Sequence, residues 1–196
     1  FFVISGYYIY AKINDFKAIK KYLLHLLLIY FTWALFYLPY FIDSSYKSLC
    51  FWIIFGYDHL WYMPASMLGV ILVYLAKKVI KSDMAILYIA GVLYFTGLII
   101  SLIKGVDYFT VYFFRNGLTV GFFYTMLGCY INAKDLDQKI SKKGISVIAL
   151  ISAILIFFEI YYRFHNLKQL GPYQDLILFM PIFCVAIFIL VLKYPK

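Results

Sequence analysis

Charge is what this sequence has least of. Only 14% of its 196 residues are Asp, Glu, Lys or Arg and 65% are apolar, whereas a water-soluble domain carries about 25% charged residues. So few polar groups cannot cover a globular surface, which excludes a water-soluble domain. Acidic residues are scarcest: nine Asp and Glu stand against 18 Lys and Arg, and Glu159 is the single glutamate. Cysteine is nearly absent as well. Cys50, Cys129 and Cys184 lie far apart in apolar runs, with no CxxC pair and no Cys/His ligand spacing. That excludes a disulfide framework and a zinc site, and leaves the three as small packed residues. No GxSxG, HExxH or P-loop is present, and no close Ser/His/Asp constellation.

What fills the sequence instead is long apolar runs. Seven are read: 1–10, 22–42, 60–76, 84–103, 117–133, 145–162 and 174–192. At ~1.5 Å per helical residue all but the first reach across or nearly across a ~30 Å hydrocarbon core. Backbone in lipid must satisfy its own hydrogen bonds, as helices or a closed barrel. The runs are continuous rather than alternating with period two, which selects helices. The expected fold is therefore an all-α polytopic transmembrane bundle of about seven segments, the first truncated. A further apolar stretch, Ser48–Gly56, is too short to span and reads as interfacial or re-entrant. The sequence opens on Phe1 inside an apolar run and leaves no room for a soluble domain, so residues 1–196 read as one integral-membrane domain, an internal fragment of a larger one.

The net charge of +9 does not point to nucleic acid, because the basic residues fall in short clusters between apolar runs. Alternate loops, at 11–21, 77–83, 134–144 and the tail, hold 13 of the 18 Lys and Arg, against five in the others. The positive-inside rule makes the rich set cytoplasmic. The chain is then expected to cross the cell's inner (plasma) membrane several times. His59, Arg115 and Glu159 fall at the outer face and Tyr22 and His25 at the inner face. Gly117, Gly121 and Gly128 share one helical face, Ala65 and Gly69 are four apart, and so are Ala149 and Ala153. Small residues at this spacing let membrane helices approach closely.

Few polar residues remain to carry chemistry. Glu159 interrupts an aromatic run, and a carboxylate in a span is costly, so it is a candidate site; a local i,i+4 pair with Arg163 is the other reading. Asp58-His59-Leu60-Trp61-Tyr62 opens a span with a titratable His beside a carboxylate, suited to proton transfer; an interfacial aromatic belt has the same composition. Arg115-Asn116 precedes the Gly-rich helix and offers a planar cation for a carboxylate or phosphate, or an interfacial anchor. Lys20, Lys21, Tyr22 and His25 could meet an anionic ligand from the cytoplasm, although a packed or snorkelling His25 fits the pattern too.

In order along the chain, these pieces resemble the membrane acyltransferase-3 family, the bacterial cell-envelope O-acyltransferases. Phe1-Phe2-Val3-Ile4-Ser5-Gly6-Tyr7 is similar to the family's FFxxSGF/Y motif, and His59-Leu60-Trp61-Tyr62-Met63-Pro64-Ala65 to its HLWYLPA element. Arg115-Asn116-Gly117, Gly121-Phe122-Phe123 and Leu127-Gly128 follow. Glu159, Asp175 and Pro181 resemble the branch that includes the membrane half of the vancomycin-resistance serine racemase. Where the family carries an RxxR pair linked to the acyl donor, this sequence has Tyr22-Leu23-Leu24-His25. The resemblance places the catalytic base on a helix before Phe1, and further spans after Lys196.

The resemblance implies an integral-membrane acyltransferase that moves an acyl group, often acetyl, from a cytoplasmic donor such as acyl-CoA to a hydroxyl of a cell-envelope glycan or related acceptor. Its expected substrate-side residues are His59, Trp61, Arg115, Asn116 and Glu159, and its donor-side residues Lys20, Lys21, Tyr22 and His25. No metal and no resident cofactor are expected, and the partners are the lipid bilayer and the substrate, with no nucleic acid. The racemase branch implies an alternative, a transport or substrate-supply domain for serine or another small amino acid, with Arg115 on the carboxylate and Glu159 on the ammonium.

Overall fold

The computed structural model describes residues 1–41, 51, 53–56, 58–104, 115–166 and 176–194. Among the described residues there is no strand. The helices are α1 (Phe2–Tyr10), α2 (Phe16–Phe41), α3 (Tyr62–Val79), α4 (Asp83–Lys104), α5 (Phe122–Ala133), the short α6 (Leu136–Lys139), α7 (Lys142–Asn166) and α8 (Met180–Lys193). A 3₁₀ turn at Asp58–Trp61 leads into α3, and a π-helical turn at Gly117–Gly121 into α5. Among the described residues four stretches are long and apolar enough to cross a membrane: Phe16–Tyr40, His59–Val79, Asp83–Leu102 and Lys142–Asn166. The molecule is a helical membrane bundle, as the apolar runs require.

Helix bounds depart from the apolar runs where capping and proline intervene. Helix α2 starts at Phe16, before the apolar run, because Asp15 Oδ1 accepts the Lys17 backbone N–H at 2.8 Å and lysines are good helix formers. Helix α8 starts at Met180 with Pro181 in its first turn, where a missing N–H costs nothing. The stretch Ser48–Gly56 lies largely outside the described residues.

Helix α5 is the centre of the bundle. It packs most extensively on α1 and also on α3 and α4, while α7 pairs with α8 and α2 lies against α3. Glycine brings these backbones together. A methyl group at Gly128 would overlap the Val3 carbonyl oxygen, one at Gly121 the Ala65 carbonyl oxygen, and one at Gly6 the Thr125 carbonyl oxygen. A Cβ at Gly69 would sit 2.6 Å from the Gly121 carbonyl carbon, and one at Gly117 2.5 Å from Leu68 Cβ. All three glycines of the predicted stripe thus face other helices, Gly117 and Gly121 towards α3 and Gly128 towards α1. Lipid tails supply no hydrophobic drive between helices, so close packing of this kind holds them together. Around the crossings Val70, Val73, Ile86, Ala90, Tyr94, Met126, Cys129, Ala186 and Ile189 are wholly buried.

Candidate functional site

Two polar regions lie at opposite ends of the bundle. One is built by the turns that open α3 and α5. The 3₁₀ turn delivers Trp61, whose ring is buried and packs on Phe2 at 5.9 Å between centroids. The π turn is held by Asn116, whose side-chain carbonyl accepts the backbone N–H of Leu118 at 2.8 Å and of Thr119 at 3.1 Å. That cap fixes the neighbouring Arg115, whose guanidinium lies 4.4 Å over the Trp61 ring. Cation–π stacking on Trp holds a guanidinium flat against the ring. His59, in the same 3₁₀ turn, is exposed. Trp61, Arg115 and Asn116 are thus brought together, with His59 one helical turn or less away along the chain.

Glu159 sits in a cluster of its own. Its carboxylate pairs with Arg163, accepts the Leu178 backbone N–H at 2.9 Å and lies 3.4 Å from that of Phe179. Leu178 and Phe179 lead directly into α8, so the carboxylate caps that helix from α7, where N–H groups lack intrahelical partners and the helix dipole favours negative charge. Arg163 is 4% exposed. The local pair that the sequence spacing allowed is formed. Beside it, Tyr94 on α4 is wholly buried, donates to the Ile177 carbonyl at 2.9 Å and lies 3.4 Å from the Tyr124 hydroxyl on α5.

On the donor side Lys20, Lys21 and His25 are exposed on α2. Tyr22 turns inward onto the core, and its buried hydroxyl has no hydrogen-bond partner among the described residues.

The lysine-rich end carries a network that sequence reading missed. Tyr10 at the end of α1 donates to Asp83 Oδ2 at 3.1 Å, Asp83 pairs with Lys77, and Lys77 Nζ lies 4.8 Å over the Tyr10 ring. Tyr7 donates to Asp137 at 3.4 Å, and Asn132 Nδ2 donates to the Tyr7 carbonyl at 3.0 Å. The available signal was Asp83, an acid standing directly after Lys77, Lys78 and Lys81 at a helix start. Among the described residues no three His, Cys, Asp or Glu side chains stand together as metal ligands would.

Between α1, α5 and α8 runs an apolar groove of about 600 Å³, with Trp61 and Tyr124 in its wall. Residues 1–194 match a family model described as an acyltransferase domain, that of acyltransferase-3. The chain belongs to the acyltransferase-3 family. No curated protein and no solved structure matches it. The match runs over all the elements described above. The acyltransferase-3 helices thus include both the Trp61–Arg115–Asn116 group and the Glu159 clasp, and the protein is a membrane acyltransferase-family domain.

Proposed function

We propose that this acyltransferase-3 domain serves O-acyl transfer across the inner membrane, from acyl-CoA on the lysine-rich, cytoplasmic side to a hydroxyl of a cell-envelope glycan. The observation that carries the reading is the family match over residues 1–194. The Trp61–Arg115–Asn116 group supports it on the acceptor side. A stacked guanidinium held by a capped turn is a preorganised anchor for the acidic or polar groups of a glycan. His59 borders that group along the chain, where an imidazole can take the proton of a bound acceptor hydroxyl. Glu159 contributes indirectly, by fixing the start of α8 next to Tyr94 and Tyr124. Lys20 and Lys21 offer donor phosphates cationic contacts from α2, and His25 on the same helix offers a ring N–H donor.

In the reaction the acceptor oxygen bonds to the acyl carbonyl carbon, the carbon–sulfur bond breaks, and the hydroxyl proton ends on the departing thiol. The bond change is neutral overall, so what the domain supplies is alignment of two substrates that meet from opposite faces.

The test uses the full-length protein in a cell lacking it. O-acylation of envelope glycan and uptake of labelled serine are measured side by side. Restored O-acylation that falls about 10²-fold with Arg115→Gln, at equal membrane abundance, is the expected result for a lost charged contact. Serine uptake without acylation would overturn it in favour of a substrate-supply domain.

A further inference from the structure

Four hydroxyls within the spans show how such a group is satisfied in lipid. Thr32, Ser101, Ser146 and Ser152 each donate to a carbonyl of their own helix, at 2.8, 2.7, 2.9 and 2.8 Å. This back-bond is the ordinary recourse of a serine or threonine in a helix. Ser66 on α3 and Thr125 on α5 do not make it. Both are wholly buried, and neither Oγ has a hydrogen-bond partner among the described residues. Tyrosine repeats the contrast. The hydroxyls of Tyr7, Tyr10, Tyr30 and Tyr94 donate to oxygens, whereas the buried hydroxyl of Tyr22 on α2 meets none.

These three hydroxyls stand at one depth. Helices α2 and α3 run antiparallel, with the Phe16 and Tyr74 rings 6.1 Å apart at one end and Tyr30 packed with Leu60 and Met63 at the other. By helical rise Tyr22 lies ~9 Å along α2 from Phe16, and on α3 Gly69 and Ser66 lie ~7.5 and ~12 Å from Tyr74. Tyr22 is therefore level with the stretch from Ser66 to Gly69. Thr125 reaches the same level from α5, since a Cβ at Gly69 would lie 3.0 Å from its Oγ1. Ser66 precedes Gly69 by one helical turn, the spacing at which side chains are neighbours. The level is the middle of the His59–Val79 span, away from bulk water.

A buried hydroxyl without a partner is costly, and more so in hydrocarbon. Three of them, from three helices at one level, call for a common partner. It must both donate and accept, because each hydroxyl does both. It must also be small, because the α3 and α5 backbones touch beside it at Gly69 and Gly121. Water meets both conditions, and about three hydrogen bonds is its usual count at a buried site. We propose that Tyr22, Ser66 and Thr125 share a bound water in the middle of the membrane, between α2, α3 and α5. The water gives the bundle a polar tie from α2 through α3 to the central helix. This assignment stands independently of the acyl-transfer reading.

The experiment uses the full-length protein in nanodiscs and X-ray radiolysis, which makes hydroxyl radicals from bound as well as bulk water. Oxidised side chains are mapped by mass spectrometry. Tyr22 should be oxidised faster than Tyr94, which is wholly buried and donates to Ile177. The double variant Ser66→Ala with Thr125→Val removes two of the hydroxyls at little change of shape and should bring Tyr22 down to the rate of Tyr94. Ser152→Ala, which removes a hydroxyl bonded to its own helix, should leave Tyr22 unchanged. Heating supplies the second measurement. Ser66→Ala and Thr125→Val should each lower the thermal midpoint by about 2–4 °C, and the double variant by little more than one of them, because the first loss already breaks the shared site. Tyr22 oxidation that ignores the double variant would mean that bulk water reaches it from the inner face. Single variants as stable as wild type would mean that the hydroxyls hold nothing, and additive losses that each has a partner of its own. Coupled losses without Tyr22 oxidation would mean that the hydroxyls bond one another directly. Each of these results overturns the proposal.

Discussion

At the scale of single residues, the most consequential finding is that Glu159 is fully engaged. Three donors meet its carboxylate, and one of them belongs to Arg163, which is almost wholly buried. Removing one member of a buried pair leaves the other charge uncompensated, at a cost of about 3–5 kcal/mol, whereas replacing both members can be close to neutral. Glu159→Gln is therefore expected to lower thermal stability markedly in detergent. The double change Glu159→Gln with Arg163→Met should recover most of that loss. Retention of monodisperse protein after heating, followed by size exclusion, measures both; a single variant as stable as wild type would show that the Glu159 carboxylate does not stabilise α7 against the start of α8. A second residue-scale expectation concerns Trp61. Trp61→Phe keeps a ring under Arg115 and should weaken the stack by about 1 kcal/mol or less, while Trp61→Ala should cost about 1–2 kcal/mol. Glycan acylation per inserted molecule should follow that order, Phe above Ala.

Among the elements, the α1–α5 and α3–α5 crossings decide the bundle, and they depend on absent side chains. Gly128→Ala and Gly121→Ala place a methyl against backbone oxygens, which cannot rotate away as a side chain can. Helices must separate, at a cost of about 1–3 kcal/mol each. Gly91 on α4 is the internal control. Its added Cβ would meet only Phe123 Cε2 at 3.5 Å, ordinary contact. Gly91→Ala should be neutral or stabilise the helix by up to about 1 kcal/mol. Thermal inactivation of the three variants, compared under one detergent, separates backbone contact from general helix propensity. The π turn makes a similar case at its start: Asn116→Ala removes the cap on Leu118 and Thr119, at about 1 kcal/mol, and frees Arg115 to leave Trp61. Loss of acylation should then exceed the loss of stability.

For the whole molecule, the arrangement of polar ends follows the charge count. Lys77, Asp83 and Tyr10 gather at the end where α3 stops and α4 starts, and Trp61 and Arg115 gather where α3 and α5 begin. Reporter fusions test the orientation. A fluorescent reporter that folds only in the cytoplasm should report after Lys81 and after Lys139 and fail after Asn166. A secreted-phosphatase reporter should give the reverse. Signal from all three fusion points on one side would contradict the alternating orientation.

The sequence by itself determined the solvent, the helical class and the family. With so little charge and such long apolar runs, only internally bonded helices can form, and that conclusion needs no knowledge of packing. It also determined that Gly117, Gly121 and Gly128 would serve close contact, because a missing Cβ has one principal use in lipid. It placed Arg115, Asn116 and Trp61 among the candidates but could not join them, since Arg115 and Trp61 are 54 positions apart and meet only because α3 and α5 start side by side. Both readings of Glu159 were legible, the site and the pair with Arg163. Its contact with the start of α8 was not, because those donors are backbone N–H groups, which carry no residue signature. The Tyr10–Asp83–Lys77 network and the α1–α8 groove likewise come from elements distant in sequence. Periodicity and composition act within one helix, whereas a site and a groove arise from the spacing between helices, which close packing alone decides.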